Sequence, residues 1–268
     1  MYNFVDRFEL FNNNYINIIQ SHIEIDYKIS QEIMQNLVQE IKNTNIPGYI
    51  WILEHQDVYT AGTSSTEEQV NSIKSIPVYY TNRGGKYTFH GNGQIICYFI
   101  INLKFLYRNK KFDVRHYVRI LESIVIRTLH NFDIKSFLKY DKVGIWVDTR
   151  DYNITKNDNI IQDLENKMFY ENQNTFYQNT KINNNNEKGY HKKVSALGLR
   201  ITNGISYHGF AINLNTDLSK YQNIIPCGIS DYGICNIAEF NNKITKDRLI
   251  SQIKTNIKYT FTNQNLWN

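Results

Sequence analysis

The 268-residue sequence has little of what interrupts or crosslinks a chain: three prolines, 13 glycines and three cysteines. So little proline and glycine excludes a collagen-like or linker-rich chain. The cysteines (Cys97, Cys227 and Cys235) are odd in number and form no Cys-x-x-Cys pair, which argues against a disulfide framework and a structural zinc site. We therefore expect free thiols in a reducing compartment.

Long apolar runs are also missing. The longest candidate, residues 95–101, has the length of a strand and falls short of the roughly 18 residues that a membrane-spanning helix needs. Residues 1–11 alternate acidic, basic and apolar side chains, which is unlike a secretory signal. We expect no membrane partner and a cytoplasmic location, or an organellar matrix if the gene is eukaryotic.

A strong charge of one sign is the third absence. The formal net charge is only +5, and the lysines and arginines are dispersed along the chain. Nucleic-acid binders usually concentrate basic residues on one face, so we expect no nucleic-acid partner. A mildly basic surface is also compatible with an acidic protein partner, and charge alone does not choose between that and an ordinary solvated surface.

Strand-like and helix-like patterns alternate along the sequence. Predicted strands cover residues 49–53, 78–81, 95–103, 143–147, 194–201 and 206–214. Three amphipathic helices are predicted to begin at the N-caps Ser30, Asp113 and Thr245. This order predicts one α/β (α+β) domain over residues 1–268, with a mixed β-sheet flanked by helices. Residues 149–192 are Asn-rich and poor in aliphatic side chains, and we interpret them as a flexible surface insertion.

Residues 83–94 (Arg-Gly-Gly-Lys-Tyr-Thr-Phe-His-Gly-Asn-Gly-Gln) concentrate four glycines between two predicted strands. Glycine lets a backbone approach a ligand closely, which makes this segment a candidate binding loop. It is not a P-loop, because the Gly-Lys step lacks the four-residue spacer and the following Ser or Thr. The alternative on composition is a β-hairpin with a flexible tip, in which His90 is a structural residue.

Lys193 begins a run of small and apolar residues. Packing of its stem would place an amine suited to proton transfer near the end of a sheet. The alternative is a surface lysine whose stem alone is packed, and Lys192 could equally be the exposed one.

Cys227 stands between Pro226 and Gly228, on a sharp turn that would present a thiol to a cleft. The alternative is a buried, inert thiol. We accept that alternative for Cys97, which lies within a predicted strand. Cys235 follows Cys227 by eight residues (235 − 227) but lacks the turn.

Together these segments resemble the lipoyl(octanoyl) transferases of the biotin/lipoate protein ligase superfamily. One motif matches Leu-Glu-His-Gln-Asp-Val-Tyr-Thr-Ala-Gly at 53–62, and a second, Arg-Gly-Gly, three variable residues and His-Gly-Pro-Gly-Gln, matches 83–94. A third joins residues 193–198 to His-Gly-Phe-Ala-Ile-Asn at 208–213, and a fourth is Pro-Cys-Gly at 226–228. The 34-residue separation (227 − 193) between Lys193 and Cys227 also fits, and the resemblance spans about residues 53–237.

The resemblance implies a biotin/lipoate ligase-like catalytic domain that uses no cofactor, ATP or metal, and we expect a monomer. Cys227 would take an octanoyl group from octanoyl–acyl carrier protein as a thioester, while Lys193 favours the thiolate and shuttles protons. The acceptor would be a lysine ε-amine on lipoyl domains of 2-oxoacid dehydrogenase complexes or on glycine cleavage H protein. The implied substrate-binding residues are Arg83, Gly84, Gly85, Lys86, Tyr87, Thr88, Phe89, His90, Ala196, Leu197, Gly198, Gly209, Phe210 and Ala211.

Backbone N–H groups near Gly84, Gly209 or Gly228 are candidates for an oxyanion hole. The sequence departs from the family pattern at Asn92, where proline is usual, and at Cys235 and Asn236, which replace a usual Thr-Ser.

Two rival functions remain open at this point. One is an ATP-dependent lipoate or biotin ligase, which would not need Cys227. The other is a non-catalytic protein that binds acyl groups or lipoyl domains.

Overall fold

The computed structural model describes residues 3–11, 13–66, 75–108, 111–139, 142–150, 189–224 and 232–267. The chain divides into two compact units, Met1–Lys111 with Gly198–Ser230 and Phe112–Leu197 with Asp231–Asn268. Strands and helices alternate in both, which confirms the predicted α/β class. That the whole chain is one catalytic domain stays a prediction.

The first unit contains a mixed sheet of five strands and a helix that connects two of them. These elements are β1 Asn3–Phe11, β2 Asn14–Ile25, α1 Tyr27–Thr44, β3 Gly48–His55, β7 Gln94–Asn102 and β11 Ile205–Asn213, numbered along the chain. The strand order is β1-β2-β3-β7-β11. Strands β2 and β3 are parallel and are connected by α1, whereas the other neighbours pair antiparallel. All nine residues of β7 are buried, so this strand lies at the centre of the unit.

A second, three-stranded sheet in this unit contains the glycine-rich segment. Strand β4 (Val58–Ala61) pairs in parallel with β5 (Val78–Tyr80) and antiparallel with β6 (Tyr87–His90). The hairpin alternative for residues 83–94 is therefore wrong, because β6 pairs with β4 while β7 pairs with β3 and β11. A short helix, α2 (Leu103–Leu106), follows β7.

Helix α1 covers one side of the mixed sheet with the apolar face that the sequence predicted. Leu37 and Ile41 are buried, and Ile33 and Val38 pack against the same core. The predicted N-cap was wrong, because the helix begins earlier and Asp26 accepts a hydrogen bond from the Ile29 N–H at 3.0 Å. Ser30 lies inside the first turn, where its hydroxyl donates to the Tyr27 carbonyl at 2.6 Å. The core cluster comprises Ile19, Ile25, Met34, Leu37, Ile41, Trp51, Leu53, Ile96, Tyr98, Ile100, Ile205 and Ala211.

The second unit packs two long helices with a group of strands. The predicted caps are confirmed, since Asp113 precedes α3 (Val114–His130) and Thr245 precedes α4 (Lys246–Thr262). Strand β8 (Phe137–Lys139) pairs with β9 (Lys142–Asp148), which pairs antiparallel with the start of β10 (His191–Thr202). A two-residue strand, β12 (Gly233–Ile234), pairs in parallel with β10. None of the helices in the described ranges combines the length and apolarity needed to cross a membrane.

Strand β10 (His191–Thr202) begins in the second unit and ends in the first. It therefore overlaps the last two residues of the predicted insertion, 191 and 192. The Thr149 N–H, at the other end of the predicted insertion, donates to the Tyr190 carbonyl at 3.0 Å. The remainder of the predicted insertion, residues 151–188, lies outside the described residues. The turn from β10 to β11 is Asn203-Gly204, and both residues have the positive φ (53° and 78°) of a two-residue hairpin turn.

Gly48 is a position in the mixed sheet where a side chain does not fit. Its φ is +136°, and an added Cβ would lie 2.1 Å from the Ile100 carbonyl oxygen. We expect Gly48→Ala to lower the free energy of unfolding by roughly 2–5 kcal/mol, because backbone strain and overlap with β7 add together. Urea denaturation of the full chain measures this. Gly189→Ala is the matched control, since its Cβ would meet nothing within 4 Å, and a loss as large as that of Gly48→Ala would contradict the steric explanation.

Candidate functional site

The guanidinium of Arg83 holds the glycine-rich loop together. Arg83 is buried and donates to the Thr60 carbonyl and hydroxyl, both at 2.7 Å. It also donates to the carbonyls of Gly84 and Lys86, both at 2.9 Å. A planar guanidinium offers several donors in one plane, which suits it to gathering carbonyls from different parts of a loop. This side chain therefore shapes the loop from inside.

The loop backbone contacts its neighbours closely. Gly84 N–H donates to the Leu199 carbonyl at 3.1 Å, and a Cβ on Gly198 would lie 3.2 Å from the Gly84 carbonyl oxygen. Gly84 is thus committed to a backbone hydrogen bond, which removes it as an oxyanion donor in this structure. Gly85 has a φ of +88°, and its carbonyl lies so close to Gly62 that a Cβ there would overlap it at 2.2 Å.

Strand β6 turns its side chains inward. Tyr87, Thr88 and Phe89 are buried, whereas Lys86, just before the strand, is half-buried. The Phe89 ring packs against the rings of Tyr59 and Tyr221, with centroids 5.4 and 5.7 Å away.

Three buried histidines gather in the first unit: His55, His90 and His208. His55 bonds to the Ile25 carbonyl through Nδ1 at 2.8 Å and to the Tyr98 hydroxyl through Nε2 at 2.6 Å. Because a carbonyl only accepts, Nδ1 carries the hydrogen and Nε2 accepts from the tyrosine. Burial lowers the pKa of His55 to about 4 and the pKa values of His90 and His208 to about 3. All three rings are therefore neutral near pH 7.

His208 lies in a strained backbone conformation within β11. Its φ is +63°, which is uncommon for a residue other than glycine. Its Nε2 is buried and has no hydrogen-bond partner among the residues that the structure describes. Nearby Gly209 approaches β7 so closely that a Cβ would lie 2.0 Å from the Cys97 carbonyl oxygen. Strain of this kind persists where the surrounding packing enforces it, and it often marks functional sites.

The other predicted residues of β11 belong to the core. Phe210 is buried and packs on Phe99 with ring centroids 5.3 Å apart, and Ala211 is part of the core cluster.

Lys193 is buried in the second unit. Its Nζ donates to the Val143 carbonyl at 2.9 Å and lies 4.9 Å from the centroid of the Trp146 ring. Neighbouring Lys192 is about one-third exposed and forms an ion pair with Glu239 at 3.5 Å. One of the two adjacent lysines is therefore buried and the other is partly exposed, and Lys193 is the buried one.

Gly144 and Trp146 create the space that Lys193 occupies. Trp146 is the direct cross-strand partner of Lys193. A Cβ on Gly144 would lie 3.2 Å from the Cε atom of Lys193. Gly144 N–H points to Glu122 at 3.5 Å, and burial raises the pKa of that carboxyl to about 7. The sequence analysis missed these residues, because only the register between β9 and β10 places them beside the lysine.

Ala196 and Leu197 follow on the same strand and are half-buried in the second unit. No contact in the described residues assigns them to a ligand site, so their role stays a prediction.

Cys227 lies outside the described residues, between Ile224 and Tyr232, so its predicted distance to Lys193 is untested. The two cysteines that the structure describes, Cys97 and Cys235, are buried. Burial raises the pKa of both thiols well above the usual range. Both environments disfavour the thiolate. For Cys97 this agrees with the expectation of a buried, inert thiol.

The departures from the family pattern have structural partners. Asn92 donates through its side-chain amide to Glu24. Asn236 precedes a short 3₁₀ helix, and its N–H donates to the Glu239 carboxylate at 2.8 Å.

The buried histidines predict a dependence of stability on pH. A histidine whose folded pKa lies below its unfolded value contributes stability that is complete above the unfolded pKa and is lost as pH falls toward the folded pKa. For His208, with a folded pKa of about 3, the loss between pH 7 and pH 5 is about 2 kcal/mol. Glu122, whose pKa is raised to about 7, changes stability in the opposite direction over this range.

We therefore expect wild type to lose about 2 kcal/mol more unfolding free energy than His208→Asn between pH 7 and pH 5. Asparagine tolerates the positive φ, so the substitution removes mainly the titrating group. Comparing the two proteins by urea denaturation at both pH values cancels the contribution of Glu122. Equal losses would show that His208 does not titrate as its burial requires.

Comparison with known proteins agrees with the motifs in this site. The family model of the lipoyl protein ligase A/B catalytic domain matches residues 26–258. The octanoyltransferase of Rickettsia canadensis is 35% identical over 237 residues, covering 88% of this chain and 95% of the relative. That of the Wolbachia of Brugia malayi is 35% identical over 230 residues, covering 86% of this chain and 92% of the relative.

A solved structure has a similar fold. Protein Ta0514 of T. acidophilum with bound lipoic acid aligns with a TM-score of 0.59 at 12% identity, covering 91% of this chain and 84% of that one. At such low identity the likeness concerns the fold alone. The family match and the relatives carry the assignment, and the chain belongs to the lipoyl protein ligase A/B catalytic domain family.

Proposed function

We propose that this chain transfers an octanoyl group from octanoyl–acyl carrier protein to a lysine ε-amine of a lipoyl domain, through a thioester on Cys227. Octanoyl transfer itself follows from relatives that bear the name octanoyltransferase and align over most of both chains. The donor, the thioester and the roles of Cys227 and Lys193 are our proposal.

One observation in the structure supports the proposed reactive pair. Ile234 pairs with Lys193, and Cys235 N–H donates to the Lys193 carbonyl at 3.1 Å. Ile234 follows Cys227 by seven residues (234 − 227). The residues that follow Cys227 in the sequence, Ile234 and Cys235, are thus hydrogen-bonded to the strand that contains the proposed base. Lys193, unlike Lys192, is also held in a fixed position by a carbonyl and an aromatic ring.

The proposed reaction balances in two steps. The Cys227 thiolate attacks the thioester carbonyl of the donor, so a new C–S bond forms, the old C–S bond breaks, and the carrier thiolate leaves. The carrier thiolate takes a proton from Lys193, which leaves this lysine neutral. The acceptor amine then attacks the Cys227 thioester carbonyl, so a C–N bond forms, the C–S bond to Cys227 breaks and the Cys227 thiolate is released. Lys193 in its neutral form takes the proton that the amine loses, which restores the starting state. Exchange between thioesters is nearly balanced in energy and amide formation from a thioester is downhill, so neither step requires ATP.

The remaining residues support this assignment in specific ways. Cys97 and Cys235 are buried thiols that would not compete as nucleophiles. The net charge of +5 would favour encounter with acidic protein partners. A free reactive thiol also requires a reducing environment, which fits the cytoplasm as the proposed compartment.

Incubation with octanoyl–acyl carrier protein in the absence of ATP should add one octanoyl mass to the chain. The adduct should be released by hydroxylamine, as a thioester is, and it should be absent from Cys227→Ser. Intact-protein mass spectrometry measures both. Cys235→Ala is the matched control and should still acquire the octanoyl group.

Labelling of Cys227→Ser to the wild-type extent would exclude Cys227 as the nucleophile. Labelling that requires ATP and free octanoate would instead support the ligase alternative.

Lys193→Met should reduce transfer to the lipoyl domain by roughly 10²- to 10⁴-fold, because a general base is lost while the aliphatic stem is kept. It should also shift the alkylation of Cys227 by iodoacetamide to higher pH, since a nearby cation favours the thiolate. Lys192→Met is the matched control and should leave both measurements near wild type. An unshifted alkylation profile in Lys193→Met would remove Lys193 from the activating role.

A further inference from the structure

Gln94 connects two parts of the first unit that the mechanism does not otherwise join. It is 1% exposed, and its amide bonds in two directions. Oε1 lies 2.6 Å from Nδ1 of His90. Nε2 lies 2.8 Å from Oδ1 of Asn213 and 2.9 Å from the hydroxyl of Tyr221.

The orientation of this amide follows from its surroundings. Nε2 also lies 3.3 Å from the Phe89 carbonyl, and a carbonyl can only accept a hydrogen bond. The amide nitrogen therefore faces Phe89 and Asn213, which leaves Oε1 facing His90. Since Oε1 only accepts, the hydrogen of the neutral His90 ring must reside on Nδ1.

This tautomer determines what His90 can do. With the hydrogen on Nδ1, the Nε2 atom carries a lone pair and acts as an acceptor. Burial lowers the pKa of His90 to about 3, so the ring keeps this neutral form near pH 7. The ring is also held in place, since it stacks nearly parallel to Tyr27 at 6.5 Å and lies 5.8 Å from His55.

The second branch of the network holds the short helix that precedes Cys227 in the sequence. Tyr221 accepts from Gln94 and donates to the Phe89 carbonyl at 3.1 Å, so its hydroxyl is fixed on both sides. It belongs to the 3₁₀ helix Leu218–Asn223, and it precedes Cys227 by six residues (227 − 221). The same helix is held from a second side, because the Tyr59 hydroxyl donates to the Lys220 carbonyl at 2.6 Å and accepts from Asn223 at 3.1 Å.

We propose that Gln94 is a positioning residue for octanoyl transfer, because one buried amide both sets the tautomer of His90 and anchors the helix that leads to Cys227. The proposal rests on the proposed function. His90 then presents an acceptor of fixed identity to a donor N–H or S–H group, and the chain enters the Cys227 segment from a fixed point. Gln94 itself need not touch the substrate.

Three substitutions separate the two branches. Gln94→Glu keeps an acceptor for His90 but loses the donor to Asn213 and Tyr221. Gln94→Met loses both branches at similar volume, and Tyr221→Phe loses only the hydroxyl that fixes the helix. Long-range ¹H–¹⁵N NMR spectra report the tautomer of His90, steady-state kinetics report kcat and KM, and thermal unfolding reports stability.

In Gln94→Met we expect loss of the single Nδ1–H signature of His90 and a fall in kcat on the order of 10²-fold, with a smaller change in KM. Gln94→Glu should retain the Nδ1–H signature while kcat still falls, and Tyr221→Phe should do the same. Asn256→Leu is the control, because Asn256 is also a buried amide, with bonds of 3.0 Å to Thr128 and 3.1 Å to Asn131 in the second unit. It should lower the melting temperature without changing kcat or the His90 spectrum.

Wild-type kcat and an unchanged His90 spectrum in Gln94→Met would overturn the proposal. So would a Gln94→Met protein that differs from wild type only in melting temperature, as Asn256→Leu should, since Gln94 would then be merely structural. Absence of an octanoyl thioester on wild-type Cys227 would instead refute the proposed function, and the His90 spectra would still decide whether Gln94 sets the tautomer.

Discussion

Strand β7 has no water-facing side, and the arrangement of the first unit depends on this constraint. A strand buried on both faces must be paired along both edges, and β3 and β11 provide that pairing. The register then decides which side chains meet. Tyr98, near the middle of β7, reaches His55, and Gln94, at its start, reaches His90 and Asn213. Residues far apart in sequence are brought together because a single strand contacts both neighbours.

The polar residues that β7 brings together are almost all uncharged. Burial keeps the three histidines neutral, and burial also raises the pKa of Tyr27 to about 12. The buried cation of the glycine-rich loop, Arg83, directs its donors at two carbonyls of the loop and at the carbonyl and hydroxyl of Thr60 in β4. An environment of neutral acceptors and donors would suit the proposed thioester, whose carbonyl and alkyl chain carry no charge. An eight-carbon chain would gain about 0.8 kcal/mol for each buried CH₂.

The sequence was most informative where the signal is local. The caps Asp113 and Thr245 and the helix faces that follow them depend on spacings of three and four residues, and the structure confirms them. For Lys193 the local sequence left a packed and a surface lysine open, and only the structure shows that this lysine is buried. The cap Ser30 failed because Asp26, four residues earlier, offers the same kind of side-chain acceptor and gives the helix an additional turn. No local spacing distinguishes two such candidates.

Contacts between strands could not be predicted in this way. Nothing within residues 83–94 reveals that β6 pairs with β4, and nothing near Lys193 reveals that Trp146 will lie opposite it. Such pairs are fixed by register, which depends on the burial of whole strands. The strands β1 and β2 were missed for a related reason: Asn14, Asn17 and Gln20 interrupt the apolar pattern, and β2 is recognisable as a strand only by its pairing with β1 and β3.

The described residues on either side of residues 225–231 are held by different contacts. On one side, Tyr221 depends on the buried amide of Gln94, so the departure point of the chain is linked to the tautomer of His90. On the other side, Ile234 is paired to the backbone of Lys193, whose ammonium is fixed independently by Val143 and Trp146. The position of the chain before residue 225 therefore depends on a buried amide and a tyrosine, whereas the position of the lysine side chain depends on the register of β9 and β10.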